Sequence, residues 1–283
     1  MNPFDRALRK AFDRPPTGGV TAPSPPGQTV AFETHSPVNA SADEQRGWVV
    51  QLREPTPQRT IEPAWSWPAL CRQILKETGA GFQKLADQLF CPEPGSPKTV
   101  AFTGPAADAG KTTIILTLAQ FLSAQNFGRL LLIDLDLEQP RLAQALGFAP
   151  KFGVDDVAQG TVAPDVAQIT LDRGRLAILP LVRPGKWSRY ADDTCDNLRR
   201  LVLDLRDQYD LILLDAGDWH NASVVCNHTR AVDAVINVAR CDNSQAQALT
   251  RQIDAWHRRH IEFLGDIETF TPTSVEQPVK GAA

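Results

Sequence analysis

Between residues 104 and 113 the chain reads GPAADAGKTT, and three aspartates follow it at the ends of apolar runs. Asp134 and Asp136 lie in LLLIDLDLEQP, and Asp215 lies in YDLILLDAGDW. Gly110, Lys111 and Thr112 close the pattern G-x-x-x-x-G-K-[ST]. In that pattern backbone N–H groups and a helix N-terminus cradle phosphate, the lysine reaches the β and γ oxygens, and the hydroxyl ligates Mg²⁺. Gly104, Ala109, Gly110, Lys111, Thr112 and Thr113 are therefore the candidate phosphate-side residues. The match is partial: Pro105 stands where the pattern has glycine, and Gly104 falls one residue early. A hard cation takes oxygen ligands, directly or through water, and phosphoryl transfer needs a positioned nucleophile. Three carboxylates beside one lysine and one threonine suit both requirements.

Such residues work only if strand ends and a helix head bring them together, and the hydrophobic pattern supplies both. KTVAFTG reads as a strand and KTTIILTLAQFLSAQ as a helix. GRLLLIDLDL is a strand, PRLAQALG a short helix closed by Gly147, and RLAILPLV a strand. SRYADDTCDNLRRLVLDLRDQ is a helix, YDLILLDAG and VDAVINVAR are strands, NSQAQALTRQIDAWHRR is a helix, and IEFLGDIE is a last strand. Runs such as LLLID and LILLD are apolar on both faces, as strands are when helices cover both sides of a parallel sheet. The expectation is a doubly wound, mostly parallel α/β domain, with Asp134, Asp136 and Asp215 at the carboxyl edge of the sheet beside the phosphate loop.

The 283 residues are 42% hydrophobic and carry a net charge of −4, so no global basic field draws the protein to nucleic acid or an anionic membrane. No nucleic-acid partner is expected; the basic turn RQIDAWHRRH with Trp256 is read as a helix end. Five scattered cysteines form no C-x-x-C pair, and a reducing, cytoplasmic setting fits them. The start MNPFDRALRK carries charges where a signal peptide needs an apolar run, so none is expected there, and no window has the roughly 20 apolar residues that span a bilayer.

Proline, Gly, Ser and Thr crowd residues 13 to 59, so residues 1–60 read as a mostly disordered arm. Phe4, Leu8 and Phe12 beside basic residues suggest a short amphipathic helix over 3–14. Residues 61–268 form the expected folded domain, entered through a helix from Trp67 to Phe90 with a soft spot at Gly79 and Gly81, and 269–283 read as a flexible tail. His220, two residues after Asp218, is a candidate acid–base or switch residue, against the reading of a solvated turn histidine.

At these residues the chain resembles the deviant Walker A ATPases of the MinD/ParA type, and within them the cytoplasmic domains of bacterial tyrosine kinases of capsule and exopolysaccharide systems. Gly110-Lys111-Thr112-Thr113 resembles the Walker A end, LLLIDLDLEQPRL the Walker A′ segment and YDLILLDAG the Walker B segment. FGVDDVAQGTVAPDVAQIT looks like the family's stretch of glycine, apolar residues and an acidic helix. The resemblance covers residues 67–268 and implies a P-loop ATPase with ATP and Mg²⁺ as ligands. Its departures are specific. Ala106 stands where MinD and ParA relatives carry a signature lysine, Ala107 and Asp108 where the kinases have Pro and Gly, and Glu138 where their A′ segment is often basic. The asparagine that supports adenine in the family falls near Thr269, so base recognition has no assigned residue. The chain has two tyrosines, Tyr190 and Tyr209, and none in its tail, so the autophosphorylating tyrosine cluster is missing.

The expected function is an ATP-binding, weakly hydrolysing switch beside a membrane-bound polysaccharide-assembly protein, with homo-oligomers as in the family an open question. Lys111, Asp134 and Asp215 are its catalytic set: Lys111 neutralises phosphate, Asp134 positions water, and Asp215 orients it. Thr112, Asp136 and Asp215 are the metal set. The alternatives are a degenerate scaffold of the same fold and a tyrosine kinase acting on a separate substrate.

Overall fold

The computed structural model describes residues 65–90, 96–184, 192–222, 225, 231–241 and 246–270. The expected helix over residues 3–14, the rest of the arm, the tail beyond Phe270 and Tyr190 lie outside the described residues.

Among the described residues seven strands form one sheet: β1 (Thr99–Gly104), β2 (Leu130–Asp134), β3 (Ile169–Leu171), β4 (Leu176–Leu179), β5 (Leu211–Asp218), β6 (Ala234–Arg240) and β7 (Glu262–Thr269). Their spatial order is β3-β4-β2-β5-β1-β6-β7, and every pairing is parallel except β3 with β4. The central strands are buried throughout, and alternate residues feed two cores. Val100, Phe102, Leu130, Leu132, Leu213 and Ile236 face one cluster, while Ala101, Leu131, Ile133, Ile212, Leu214 and Val235 face the other. This two-sided burial explains why the strands read as unbroken apolar runs rather than as alternation.

The first core is closed by α1 (Ala69–Leu89) and α2 (Lys111–Ala124). Phe82, Leu85, Ala86 and Leu89 of α1 recur at helical spacing and are at most 2% exposed. The soft spot expected at the glycines is a kink at the preceding Thr78 (φ −134°), whose hydroxyl donates to the Ile74 carbonyl at 2.7 Å. That back-bond competes with the helix ladder, and Gly79 offers no side chain to resist the bend. Trp65 and Trp67 meet edge to face (5.0 Å) and pack against the same core.

Further helices among the described residues include α3 (Leu142–Ala145), α4 (Val154–Ala158), α5 (Pro164–Ala167), α6 (Asp192–Arg206) and α7 (Ala246–His257). Trp256 of α7 is 2% exposed and stacks on Phe263, which makes it a core residue. Tyr209 is also packed, its hydroxyl donating to Gln168 Oε1 at 2.8 Å.

Two differences from the sequence reading have local causes. Ile169–Leu171, to which the hydrophobic pattern assigned no element, is an antiparallel edge strand, because Asp172, Arg173 and Gly174 all adopt positive φ (47°, 55° and 87°) and turn the chain into a hairpin with β4. The last strand runs one residue past the expected boundary at 268. Thr269 is not tail: it is 7% exposed, and its hydroxyl bonds the Ala109 carbonyl at 2.7 Å. Among the described residues no helix is long and apolar enough to cross a membrane.

Candidate functional site

The loop from Gly104 to Gly110 joins the end of β1, in the middle of the sheet, to the head of α2. Its two glycines do different work. Gly110 caps α2 in the left-handed region (φ +86°), which glycine enters without penalty. Gly104 lies against β6, where an added Cβ would sit 2.0 Å from the Val238 carbonyl oxygen, so it permits strand packing. Gly104 and Ala109 do not line the cavity that opens over this loop; Gly110, Lys111, Thr112 and Thr113 do, together with Asp108, Asp136, Arg141 and Phe270. The cavity holds about 270 Å³.

Lys111 is 2% exposed and curls back over the loop, donating to the carbonyls of Ala106 (2.7 Å) and Ala107 (3.2 Å). Burial lowers its pKa, opposed by the carboxylates of Asp215, Asp136, Asp218 and Asp108. Thr112 donates its hydroxyl proton to Asp215 Oδ2 at 2.5 Å. The other oxygen of Asp215, fully buried, makes no hydrogen bond of normal geometry, and the Gly217 backbone N–H gives the carboxylate only a weak contact. Burial raises the Asp215 pKa to about 6, with Thr112 and Lys111 pulling it down and Asp136 pushing it up.

The structure thus brings Lys111, Thr112, Asp136 and Asp215 together, and places Asp134 behind them. Asp134 is 1% exposed, and both its oxygens accept backbone N–H groups, from Asp136 (3.3 Å) and Leu142 (3.0 Å). Burial, then the neighbouring Asp215, raises its pKa well above the usual carboxylate range. Asp136 faces the cavity; its Oδ1 accepts from the backbone of Glu138 (3.1 Å) and Gln139 (2.9 Å). Among the described residues no three His, Cys, Asp or Glu side chains are grouped so as to hold a metal ion by themselves. A metal here would draw the rest of its shell from the Thr112 hydroxyl, phosphate oxygens and water, as Mg²⁺ commonly does. The orphaned buried oxygen of Asp215 fits such an ion.

Three positions escaped the sequence reading. Arg141, held by Gln139 Oε1, lines the cavity and supplies the positive charge that Glu138, exposed and outside the lining, does not. Gly217 (φ +63°) lets β5 pass close to Asp136, whose Oδ1 lies 3.1 Å from where a Cβ would stand. Asn221 donates to the carbonyls of Leu135 (2.7 Å) and Ala216 (2.6 Å) and accepts from the Leu137 N–H (3.3 Å), stapling the segment after β2 to the end of β5. No motif marks it, since its partners are all backbone. Asn221→Ala leaves two buried carbonyls unpaired and is expected to cost about 3 kcal/mol of stability, read by urea unfolding. An unchanged midpoint would show that the staple carries no energy. His220 is exposed and outside the cavity lining, away from the chemistry considered for it.

No family model matches the chain, and no curated protein matches it. Among solved structures, the kinase domain of the Escherichia coli tyrosine kinase ETK is 20% identical with a TM-score of 0.58, covering 74% of this chain and 79% of that one. The VpsO kinase domain is 22% identical with a TM-score of 0.57, covering 71% and 98%. The chimerical protein CapA2B2 is 16% identical with a TM-score of 0.59, covering 71% and 90%. The chain has the fold of these kinase domains. Cobyrinic acid a,c-diamide synthase from Mycobacterium smegmatis, solved with ADP and magnesium, is 22% identical with a TM-score of 0.50, covering 60% and 74%. Within the P-loop fold, the β1–α2 turn, the end of β2 and the end of β5 converge, and Lys111, Asp136 and Asp215 stand on those three segments.

Proposed function

We propose that the chain is a cytoplasmic ATP-binding P-loop protein that hydrolyses nucleotide slowly as a switch, and that it attends a membrane-bound protein of exopolysaccharide or capsule assembly. The observation that carries the nucleotide reading is the hydrogen bond from Thr112 to Asp215 at the head of α2, with the second Asp215 oxygen buried and unpaired. An unpaired buried acceptor costs on the order of 1–3 kcal/mol, more when charged, and so marks a place where a ligand belongs. The synthase with bound ADP and magnesium lends support from the same fold. The polysaccharide setting rests on the resemblance to the kinase domains of such systems.

In this reading Lys111 exchanges the Ala106 and Ala107 carbonyls for phosphate oxygens. Thr112, Asp136 and Asp215 would hold Mg²⁺, which when bound draws charge from the transferring phosphate. Asp136, facing the cavity, is better placed than Asp134 to orient the attacking water. Asp134, spent on two backbone N–H groups, holds the loop that carries Asp136. Arg141 adds a cation on the same wall.

A second reading, the degenerate scaffold, is favoured by the Lys111 ammonium's engagement with its own loop. Phosphate release from MgATP under single-turnover conditions separates the two. Slow release is expected from the wild type, and Asp136→Ala should cut it on the order of 100-fold, the usual scale for a lost proton-transfer or water-positioning group. No release at any enzyme concentration favours the scaffold, and phosphotyrosine on an added partner instead of free phosphate favours the kinase.

A further inference from the structure

The phosphate-side residues account for part of the cavity wall, and Phe270, which also lines it, is not used by the proposed chemistry. At the end of β7 the Thr269 hydroxyl bonds the carbonyls of Ala109 (2.7 Å) and Ala239 (3.2 Å), tying the last strand to the loop and to β6. That anchor sets Phe270 beside the head of α2, where a Cβ at Gly110 would lie 3.9 Å from the ring atom Cε2. Phe270 has φ +55°, uncommon for a bulky side chain, and the Cys241 thiol donates to its carbonyl at 3.0 Å. The ring lines the cavity and is still 59% exposed. The Arg240 guanidinium lies over it, 4.4 Å from the centroid, and also 3.9 Å from Asp108 Oδ2.

An aromatic ring left open to water gains little from burial, yet the strand end is pinned and the backbone placed in an uncommon conformation to hold it there. A ring braced by a guanidinium, at the mouth of a phosphate-sized cavity, presents a flat π surface to a flat partner. We propose that Phe270 and Arg240 form the nucleobase platform of this site and recognise a purine by stacking rather than by hydrogen bonds to its edge. The proposal rests on the reading of the cavity as a nucleotide site. It carries two consequences. Stacking distinguishes poorly between adenine and guanine, since every base has a π face, so ATP and GTP should bind within about fivefold of each other. Arg240 also offsets Asp108, which lets the loop carry a carboxylate near a polyphosphate.

Titration calorimetry with MgATP, MgGTP and magnesium triphosphate, on wild type, Phe270→Ala and Phe270→Trp, tests it. Phe270→Ala should weaken both nucleotides about tenfold and leave triphosphate unchanged, and Phe270→Trp should restore nucleotide binding. Three results overturn the platform while leaving the phosphate site standing: equal MgATP affinity in wild type and Phe270→Ala, parallel weakening of triphosphate, or a preference for one purine well beyond tenfold. Failure of all three ligands to bind wild type overturns the nucleotide reading and the platform together.

Discussion

Lys111→Met is expected to remove most of the thermal stabilisation that MgATP gives the wild type while leaving the nucleotide-free protein at least as stable. The ammonium is 2% exposed, burial depresses its pKa, and its hydrogen bonds are two loop carbonyls. A lysine whose folded pKa is lowered works against folding at neutral pH, so its charge is retained at a cost that a nucleotide would repay. Methionine keeps the stem's volume and removes the charge. With phosphate as the missing partner, the loss should be about 3 kcal/mol, or on the order of 100-fold in affinity, the upper scale for hydrogen bonds to charged groups. Differential scanning fluorimetry reads it: at an MgATP concentration 100 times the wild-type Kd the wild type gains about 2.7 kcal/mol, and the variant, then near its own Kd, only about 0.4 kcal/mol. A full wild-type shift in the variant would mean that nucleotide binds elsewhere.

The second large effect is a pH dependence centred on Asp215. Its folded pKa, about 6, is above the usual value of 3.8, chiefly because burial penalises the charged form. A carboxyl with a raised folded pKa stabilises the fold fully below its unfolded pKa and loses that contribution as pH rises through the folded value. Wild type should therefore weaken relative to Asp215→Asn between pH 4 and pH 7, by about 3 kcal/mol at most for a shift of this size. Asp134, also raised, titrates in both proteins: the part due to burial cancels in the comparison, while the part due to the Asp215 charge is absent from the variant and adds to the difference in the same direction. Urea midpoints of the two proteins at pH 4.5 and pH 7.5 measure the difference. MgATP should reverse the order at pH 7.5, since a bound cation favours the ionised carboxylate that the variant lacks. Parallel pH profiles in the two proteins would mean that Asp215 is ordinarily solvated.

The parts of this account that were legible in the sequence are those set by long-range repetition of one physical rule. Strands such as LLLID are apolar on both faces because two helical layers cover them, and that pattern needs no partner to be recognised. Lys111 and Thr112 were legible because a helix head that binds phosphate constrains consecutive residues. Asp134 and Asp136 could be placed at the end of β2, and the pattern was read as giving Asp134 the water and Asp136 the metal, but it could not say which of them faces the cavity. The strand ends at Asp134, so the pleat no longer dictates which carboxylate turns toward the cavity, and the hydrogen bond from Leu142 to Asp134 decides it. Asn221 was silent because it binds carbonyls of Leu135 and Ala216, which leave no trace in side-chain type. Phe270 fell beyond the expected end of the domain, and only the bond from Thr269 to Ala109 shows why it belongs. The short strand Ile169–Leu171 was missed since three residues cannot display a period.

All of this depends on a polyphosphate entering over Lys111 with a cation near Asp215. The most direct measurement is calorimetric titration of MgATP into the 283-residue chain, with an excess of EDTA in a parallel run. The account predicts a single saturable site, one nucleotide per chain, markedly weaker without magnesium. Absence of saturable heat at millimolar MgATP, together with no protection of the protein against thermal unfolding, would contradict it.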